Sequence, residues 1–301
     1  METMKERWLR AIGTPKHYDF RQSMRLIKKY DHPEFDGELY LQANGPTTFQ
    51  RLLMVFPKKL TGPVPGVAVP FYYPEAMLGF DPETGEKLPR FENIEMLLHL
   101  VRRGYIAATA DAYHLTYLPD STRDRSDFLR WRDAAEALNR EHPEWTGIGK
   151  LTADTFLLTD ALSLDPRVDA SRLGIAGHSL GGKMAFYNGC LDPRIRVMLC
   201  SDFGIGWDQT NWKDIWYWGE KLEALKAAGM EHSQLLGVSG GKPFCLLAGM
   251  YDNEESGEMM RRAEGYEAGS DRLRLINHAT GHRPPLDVLE KGYSFLDKWL
   301  K

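Results

Sequence analysis

Residues 177–181 combine a hydroxyl side chain with the small residues that a sharp turn needs. They read Gly-His-Ser-Leu-Gly, a G-x-S-x-G pattern that follows the apolar run 173–176 and precedes the helix-favouring run 183–187. A strand-to-helix turn of this kind pushes the serine hydroxyl out of the sheet edge, towards the first amides of the helix. The pattern therefore predicts that Ser179 is a nucleophile. The alternative is an incidental serine in a glycine-rich turn.

A serine hydroxyl needs a neighbouring base to attack a carbonyl, and the base needs a carboxylate that holds its tautomer. For a serine in such a turn, the expected chain order is serine, acid, histidine. Asp252 lies in a turn after the apolar run 244–248, and His282 lies in a loop before the last predicted helix. We predict Asp252 as the acid and His282 as the base. The alternatives that stay open are Asp202, Glu254 and Glu255 for the acid and His278 for the base.

Acyl transfer also needs N–H donors for the developing oxyanion. One predicted donor is the amide of Leu180, the residue after the serine. The other should come from residues 70–74, Pro-Phe-Tyr-Tyr-Pro, in which the prolines have no N–H. Among the three remaining amides we favour Tyr73 first and Tyr72 second. Both tyrosines can also form pocket wall, since backbone and side chain act separately.

The elements that must position these residues alternate along the chain. Short apolar runs rich in β-branched residues are predicted strands, and the longer stretches between them are predicted helices. The strands are 66–71, 105–110, 173–176, 196–200, 244–248 and 272–277, and the helices are 91–103, 151–164, 180–190, 255–268 and 285–300. Such alternation predicts an α/β fold with a mostly parallel central sheet that helices cover on both faces.

One catalytic domain is predicted over residues 38–301, after an N-terminal extension, 1–37. A hairpin that turns at Asn44-Gly45 is predicted to begin the sheet. Segments 112–149 and 203–240 break the strand–helix alternation, and both follow strands on the side of the expected site. Long segments at such places usually cover or line a pocket. We therefore predict that they are cap insertions of the same domain.

With these motifs the chain resembles the α/β-hydrolase superfamily over about residues 38–300. Within it, three further segments resemble the branch of dienelactone hydrolases, acetyl xylan esterases and prolyl-oligopeptidase-like enzymes. These segments are Asp-Pro-Arg-Val-Asp at 165–169, Gly-Lys-Met-Ala at 182–185 and Leu-Asp-Pro-Arg-Ile at 191–195.

The resemblance implies Ser179 as nucleophile, Asp252 as acid, His282 as base, and acyl transfer to water through an acyl-enzyme. The chain departs from the family where Phe71-Tyr72 replace the usual His-Gly, which leaves the second oxyanion donor open. Dienelactone hydrolases use a cysteine nucleophile. The serine in this chain therefore argues against a dienelactone substrate.

The second insertion is dense in tryptophan, with Trp207, Trp212 and Trp216 in one short stretch. Aromatic side chains near a nucleophile commonly line an acyl or sugar pocket. We therefore predict these three residues as substrate-binding. The alternative is that their rings pack within the cap.

The composition excludes several classes of protein. The net charge of −4 gives no reason to expect a nucleic-acid or anionic-membrane partner. The three cysteines are widely spaced and form neither a metal motif nor a disulfide framework, and residues 1–12 do not read as a secretion signal. We expect a cytoplasmic enzyme without a metal or organic cofactor, whose partner is a small-molecule ester. A homo-oligomer stays open.

Three functions are compatible with these residues. The primary hypothesis is a carboxylic-ester hydrolase that acts on small acyl esters or acylated carbohydrates. The second is a serine peptidase of the prolyl-oligopeptidase type, which the 37 residues before the predicted sheet disfavour because they are too few for a propeller domain. The third is a non-catalytic binding protein on a hydrolase scaffold, which the complete serine, acid and histidine set disfavours.

Overall fold

A single nine-stranded sheet organises the protein. The computed structural model describes residues 2–13, 23–45, 47–81, 84–118 and 127–301. The strands are β1 (Met24–Asp31), β2 (Phe35–Ala43), β3 (Phe49–Pro57), β4 (Val64–Ala68), β5 (Ile106–Ala110), β6 (Val168–His178), β7 (Ile195–Ser201), β8 (Phe244–Ala248) and β9 (Leu273–Asn277). Their order in the sheet is β1-β2-β3-β5-β4-β6-β7-β8-β9.

The helices of the described residues lie in the connections between these strands, except for the first, which precedes β1, and the last, which follows β9. They are α1 (Met4–Ile12), α2 (Pro74–Leu78), α3 (Met96–Arg102), α4 (Tyr113–Thr116), α5 (Asp127–Glu141), α6 (Gly147–Leu164), α7 (Leu180–Leu191), α8 (Lys221–Ala227), α9 (His232–Val238), α10 (Glu254–Arg261) and α11 (Leu286–Leu300). None of the helices within the described ranges has the length and apolar composition that a membrane crossing requires.

The sheet is parallel where the predicted site lies. Strands β5, β4, β6, β7, β8 and β9 pair in parallel, whereas β1, β2, β3 and β5 pair antiparallel. The carboxyl ends of β6, β7, β8 and β9 therefore meet at one edge. The prediction of a mostly parallel sheet is confirmed, as is the hairpin, which is formed by β2 and β3.

Helices cover both faces of the sheet, as predicted. Along β7, Met198 and Cys200 pack in the cluster that contains α7, whereas Val197 and Leu199 pack in the cluster that contains α11. Strands β5 and β8 are buried along their whole length. Alternate side chains of one strand thus fill two hydrophobic cores, which explains the continuous apolar runs in the sequence.

Two predicted helices are shorter than expected, because residues with positive φ lie within the predicted ranges. Asn93 has a φ of +65°, so α3 begins at Met96 instead of residue 91. Gly265 has a φ of +86°, and α10 ends at Arg261 instead of 268. A right-handed helix cannot continue through such residues.

The N-terminal extension contributes a strand to the sheet, whereas the two insertions contain helices. Strand β1 lies within residues 1–37 and pairs with β2, so the sheet begins at Met24 instead of residue 38. Insertion 112–149 contains α4 and α5, although its residues 119–126 lie outside the described part. Insertion 203–240 contains α8 and α9. The two insertions touch each other, since the Tyr113 hydroxyl donates to the Trp216 carbonyl at 3.3 Å.

Candidate active site

The turn between β6 and α7 places Ser179 in a strained backbone conformation. Its φ is +56° and its ψ is −117°, and its amide donates to the Ser201 carbonyl at 2.9 Å. A Cβ on Gly177 would lie 2.1 Å from the Gly181 carbonyl oxygen, and a Cβ on Gly181 would lie 2.1 Å from the Pro70 oxygen. The two glycines of the motif are therefore required by close backbone contacts, and the serine is held at the carboxyl edge of the sheet.

Replacing Gly181 by alanine is expected to lower the free energy of unfolding by about 1–3 kcal/mol, because the new methyl group must displace the Pro70 carbonyl or the turn itself. Urea titration of the two proteins measures the difference. Gly62→Ala is the matched control, since nothing lies within 4 Å of a Cβ at that position. Equal stability of Gly181→Ala and the wild type would contradict the contact.

His282 lies between Ser179 and a buried carboxylate. The Ser179 hydroxyl and His282 Nε2 are 2.9 Å apart, and His282 Nδ1 is 2.7 Å from Asp202 Oδ2. Because an ionised carboxylate can only accept, His282 carries its proton on Nδ1 and Nε2 is free to accept the serine proton. The structure thus brings together two of the predicted residues, Ser179 and His282, with the alternative acid.

Asp202 is fully buried, and its environment keeps it ionised. Burial opposes the charge, but the hydrogen bond from His282 and the backbone amides of residues 250–252 outweigh it and lower the pKa of Asp202. Its Oδ1 accepts from four consecutive amides, Gly249 to Asp252, at 2.9–3.0 Å. Only Oδ2 therefore faces His282, and its direction is fixed.

The prediction of Asp252 as the partner of His282 is corrected by these hydrogen bonds. Asp252 is fully buried, and its Oδ2 accepts from the Gly204 amide and its Oδ1 from the Ile205 amide, both at 2.8 Å. Both carboxylates follow parallel strands, but Asp202 follows β7 with a φ of +42°, which turns its side chain towards the histidine. His278 bonds Thr280 at 2.7 Å and does not reach the serine.

The stretch that carries the predicted oxyanion donors lies against the turn of Ser179. The Pro70 carbonyl contacts Gly181, and the Tyr72 carbonyl accepts from the Ala112 amide at 2.9 Å. Leu180 is the first residue of α7, where a helix leaves its amides without an intrahelical acceptor. Tyr73 precedes α2 as its N-cap. The choice between the Tyr73 and Tyr72 amides stays a prediction.

Arg51 holds this stretch in place through hydrogen bonds to two carboxylates, Asp111 and Glu75. From β3, its guanidinium donates to both oxygens of Asp111, at 2.9 and 2.8 Å, and to Glu75 in the first turn of α2 at 2.6 Å. These bonds fix the start of α2 to the end of β5 and therefore fix the residues just before α2. No sequence motif marks Arg51, because its partners are 24 and 60 positions away.

Two of the predicted substrate-binding tryptophans are packing residues. Trp212 has 0% exposure and its indole N–H donates to the Gly204 carbonyl at 2.6 Å. The indole N–H of Trp207 donates to the Met230 carbonyl at 2.7 Å, and its ring lies 3.9 Å from that of His232. Both rings join a cluster around Trp8 of α1. The substrate-binding prediction is wrong for Trp212, which has no surface, and Trp207 is likewise used for packing.

A different set of rings extends from the predicted oxyanion stretch to the surface. Tyr72 stacks on Trp131 at 4.6 Å, and Trp131 meets Trp216 edge-on at 5.9 Å. Phe128 lies against Trp131 at 5.0 Å and is 65% exposed. We call Tyr72, Trp131, Trp216 and Phe128 the aromatic ladder. Trp216 is thus the one predicted tryptophan whose ring belongs to the aromatic ladder, and its partners Trp131 and Phe128 lie in the other insertion, where no spacing in the sequence marks them.

Solved structures with the same architecture identify the fold. A glucuronoyl esterase from Solibacter usitatus superposes with a TM-score of 0.70 at 14% identity, covering 99% of this chain and 92% of that one. Acetyl xylan esterase 1 from Thermoanaerobacterium sp. JW/SL YS485 gives a TM-score of 0.63 at 15% identity, covering 100% and 94%. The chain has the α/β-hydrolase fold. In this α/β-hydrolase fold the candidate nucleophile follows β6, the candidate acid follows β7 and the candidate base follows β9.

Sequence similarity is weaker than structural similarity. The protein YtaP of Bacillus subtilis (strain 168), which carries a provisional hydrolase name, is 25% identical over 165 residues. The match covers 50% of this α/β-hydrolase chain and 54% of YtaP, so it spans about half of that relative. No family model matches the sequence.

Proposed function

We propose that the protein is a serine esterase that cleaves carboxylic esters through an acyl-enzyme on Ser179. The observation that carries the proposal is the continuous line of hydrogen bonds from Ser179 through His282 to Asp202, at 2.9 and 2.7 Å. In this line the nucleophile, the base and the group that orients the base stand in the order that acyl transfer requires.

The reaction then follows from the positions of the protons. The Ser179 oxygen bonds to the ester carbonyl carbon while its proton moves to His282 Nε2, and buried Asp202 stabilises the imidazolium. The alcohol leaves with that proton and the acyl group stays on Ser179. A water molecule then attacks the acyl carbon while His282 takes its proton, and the carboxylic acid leaves as that proton returns to Ser179. The Leu180 amide and the Tyr73 or Tyr72 amide are the proposed donors to the oxyanion in both steps.

Acylated carbohydrates are the substrate class that we propose. The aromatic ladder supports it, because its partly exposed rings run outward from Tyr72 in the predicted oxyanion stretch and can provide stacking faces for sugar rings. The similar solved structures named above are a glucuronoyl esterase and an acetyl xylan esterase.

The three buried free cysteines support the cytoplasmic location expected from the sequence, since a reducing compartment preserves free thiols.

Replacing Trp216 by alanine is expected to raise KM for an acetylated xylo-oligosaccharide about tenfold and to leave KM for p-nitrophenyl acetate within twofold, because only the larger substrate reaches the ladder. Steady-state kinetics on both substrates measure the difference. Trp299→Ala, a change of the same size on α11, is the control. Equal changes on both substrates would contradict a sugar-binding role of Trp216.

A panel of substrates tests the proposed function. Purified protein is assayed with p-nitrophenyl acetate, acetylated xylan, a methyl ester of glucuronic acid and a peptidyl p-nitroanilide. We expect turnover of esters and none of the anilide. Turnover of the anilide alone would favour the peptidase, and a folded protein that is inert towards the whole panel would favour the binding protein.

A further inference from the structure

The backbone of the loop after β7 is bonded by buried side chains at almost every peptide. We call residues 202–206 the Asp202 loop. Its side-chain partners come from four different parts of the chain. Lys183 donates to the Phe203 carbonyl at 3.0 Å, Trp212 donates to the Gly204 carbonyl at 2.6 Å, and His232 Nδ1 lies 2.6 Å from the Ile205 carbonyl oxygen. Asp252 accepts from the Gly204 and Ile205 amides at 2.8 Å.

The two buried aspartates hold each other's loops. Asp202 Oδ1 accepts from the four amides of residues 249–252, and Asp252 in turn accepts from the amides of residues 204 and 205. Neither carboxylate can move without releasing the backbone that carries the other. Asp252 therefore bears directly on where Asp202 Oδ2 lies relative to His282.

The Asp202 loop needs such support because its backbone is strained. Asp202 has a φ of +42° and Gly204 a φ of +69°. A non-glycine residue in the left-handed region persists only where surrounding contacts fix it. Among the partners of this loop in the described part of the chain, Asp252 is the one that bonds two successive amides, those of Gly204 and Ile205, two and three positions after Asp202.

Asp252 is itself fixed from outside the loop. Ser256 donates its hydroxyl to Asp252 Oδ1 at 2.9 Å, and Gln209 donates to the Ser256 oxygen at 3.0 Å. Gln209 also accepts from the Gly206 amide at 2.6 Å. Both carboxylate oxygens of Asp252 thus accept hydrogen bonds from backbone amides, and Oδ1 also accepts from Ser256. Neither oxygen is directed at His282.

We infer that Asp252 is a positioning residue of the esterase, acting through Asp202 by fixing the loop that carries it. The inference rests on the proposed function, because it concerns the same serine, histidine and aspartate. In this role Asp252 does not contact His282, whereas Asp202 does. The effect of Asp252 on catalysis must then depend on the presence of the Asp202 carboxylate.

A double-mutant cycle tests this dependence. Asp252→Asn is expected to lower kcat about 10- to 100-fold with KM within twofold, because its NH₂ group faces a backbone amide and the loop shifts by a fraction of an ångström. In the Asp202→Asn background the same change is expected to alter kcat less than threefold. The pH profile of kcat/KM should shift in the same direction in both single variants, and further in Asp202→Asn.

Three outcomes would overturn the inference. The first is a double variant whose loss of kcat equals the product of the two single losses. The second is a loss of kcat in Asp252→Asn as large as that in Asp202→Asn, and the third is no loss of kcat in Asp252→Asn. Asp208→Asn is the control, since it makes the same chemical change on a carboxylate that is 87% exposed in the same insertion. Inert wild-type protein would instead refute the proposed function.

A milder variant covers the case in which Asp252→Asn does not fold. Ser256→Ala removes one donor from Asp252 and leaves both of its backbone bonds. We expect a loss of about threefold in kcat in the wild-type background and none in the Asp202→Asn background. Equal losses in both backgrounds would overturn the inference.

Discussion

Replacing Ser179 by alanine is expected to lower kcat for p-nitrophenyl acetate by about 10⁶-fold, because the acyl group then has no oxygen to which it can be transferred. The fold should be retained. The lost hydroxyl bonds His282, not the backbone of the turn. The turn is held by the hydrogen bond from the Ser179 amide to the Ser201 carbonyl and by the close packing of Gly177 and Gly181. Initial rates at saturating substrate measure the loss, and thermal unfolding verifies the fold.

Ser294→Ala is the matched control for this variant. Ser294 is exposed on α11 and its hydroxyl donates to the Glu290 carbonyl of its own helix at 2.8 Å. We expect its kcat to equal that of the wild type. A folded Ser179→Ala protein that retains more than a hundredth of wild-type kcat would refute Ser179 as the nucleophile.

Replacing Asp202 by asparagine is expected to lower kcat by about 10⁴-fold with little change in KM. The four amides of residues 249–252 bond Asp202 Oδ1, and they will keep the asparagine oxygen at that position. The NH₂ group must then face His282 Nδ1. Because that group only donates, the histidine proton moves to Nε2, which can no longer accept from Ser179.

The magnitude of this loss separates the two candidate acids. We expect Asp202→Asn to be at least a hundredfold less active than Asp252→Asn, measured as kcat with p-nitrophenyl acetate and with thermal unfolding of each variant alongside. Asp208→Asn provides the baseline for the chemical change itself. Activity of Asp202→Asn within tenfold of the wild type would mean that another carboxylate orients His282.

The part of the site that the sequence predicts is the part that local geometry dictates. The glycines around Ser179 are required because a Cβ at Gly177 or Gly181 would lie 2.1 Å from a backbone oxygen, and this requirement leaves a short motif with a fixed spacing. The prediction of His282 rests on its place in the loop before the last helix, and in the structure its Nε2 lies 2.9 Å from the Ser179 hydroxyl. The central strands, such as β5 and β8, are short continuous apolar runs because they are buried along their whole length, so the parallel part of the sheet could be predicted as well.

The remaining features depend on contacts that spacing along the chain does not encode. Asp202 and Asp252 follow neighbouring strands, and which carboxylate faces the histidine is set by long-range hydrogen bonds: Asp202 Oδ2 lies 2.7 Å from His282 Nδ1, whereas Asp252 accepts from the Gly204 and Ile205 amides. Trp212 and Trp216 are four positions apart, yet one packs on the interior cluster and the other on Trp131 of the first insertion. Arg51 and its partners are joined by the order of strands in the sheet.

Covalent labelling tests the central claim most directly. The protein is treated with a fluorophosphonate, its intact mass is measured, and the modified peptide is mapped. The account predicts one adduct per chain, on Ser179, and its loss in Ser179→Ala. An adduct on another residue, or no adduct under conditions that fully label a reference serine esterase, would contradict a Ser179 nucleophile activated by His282 and Asp202.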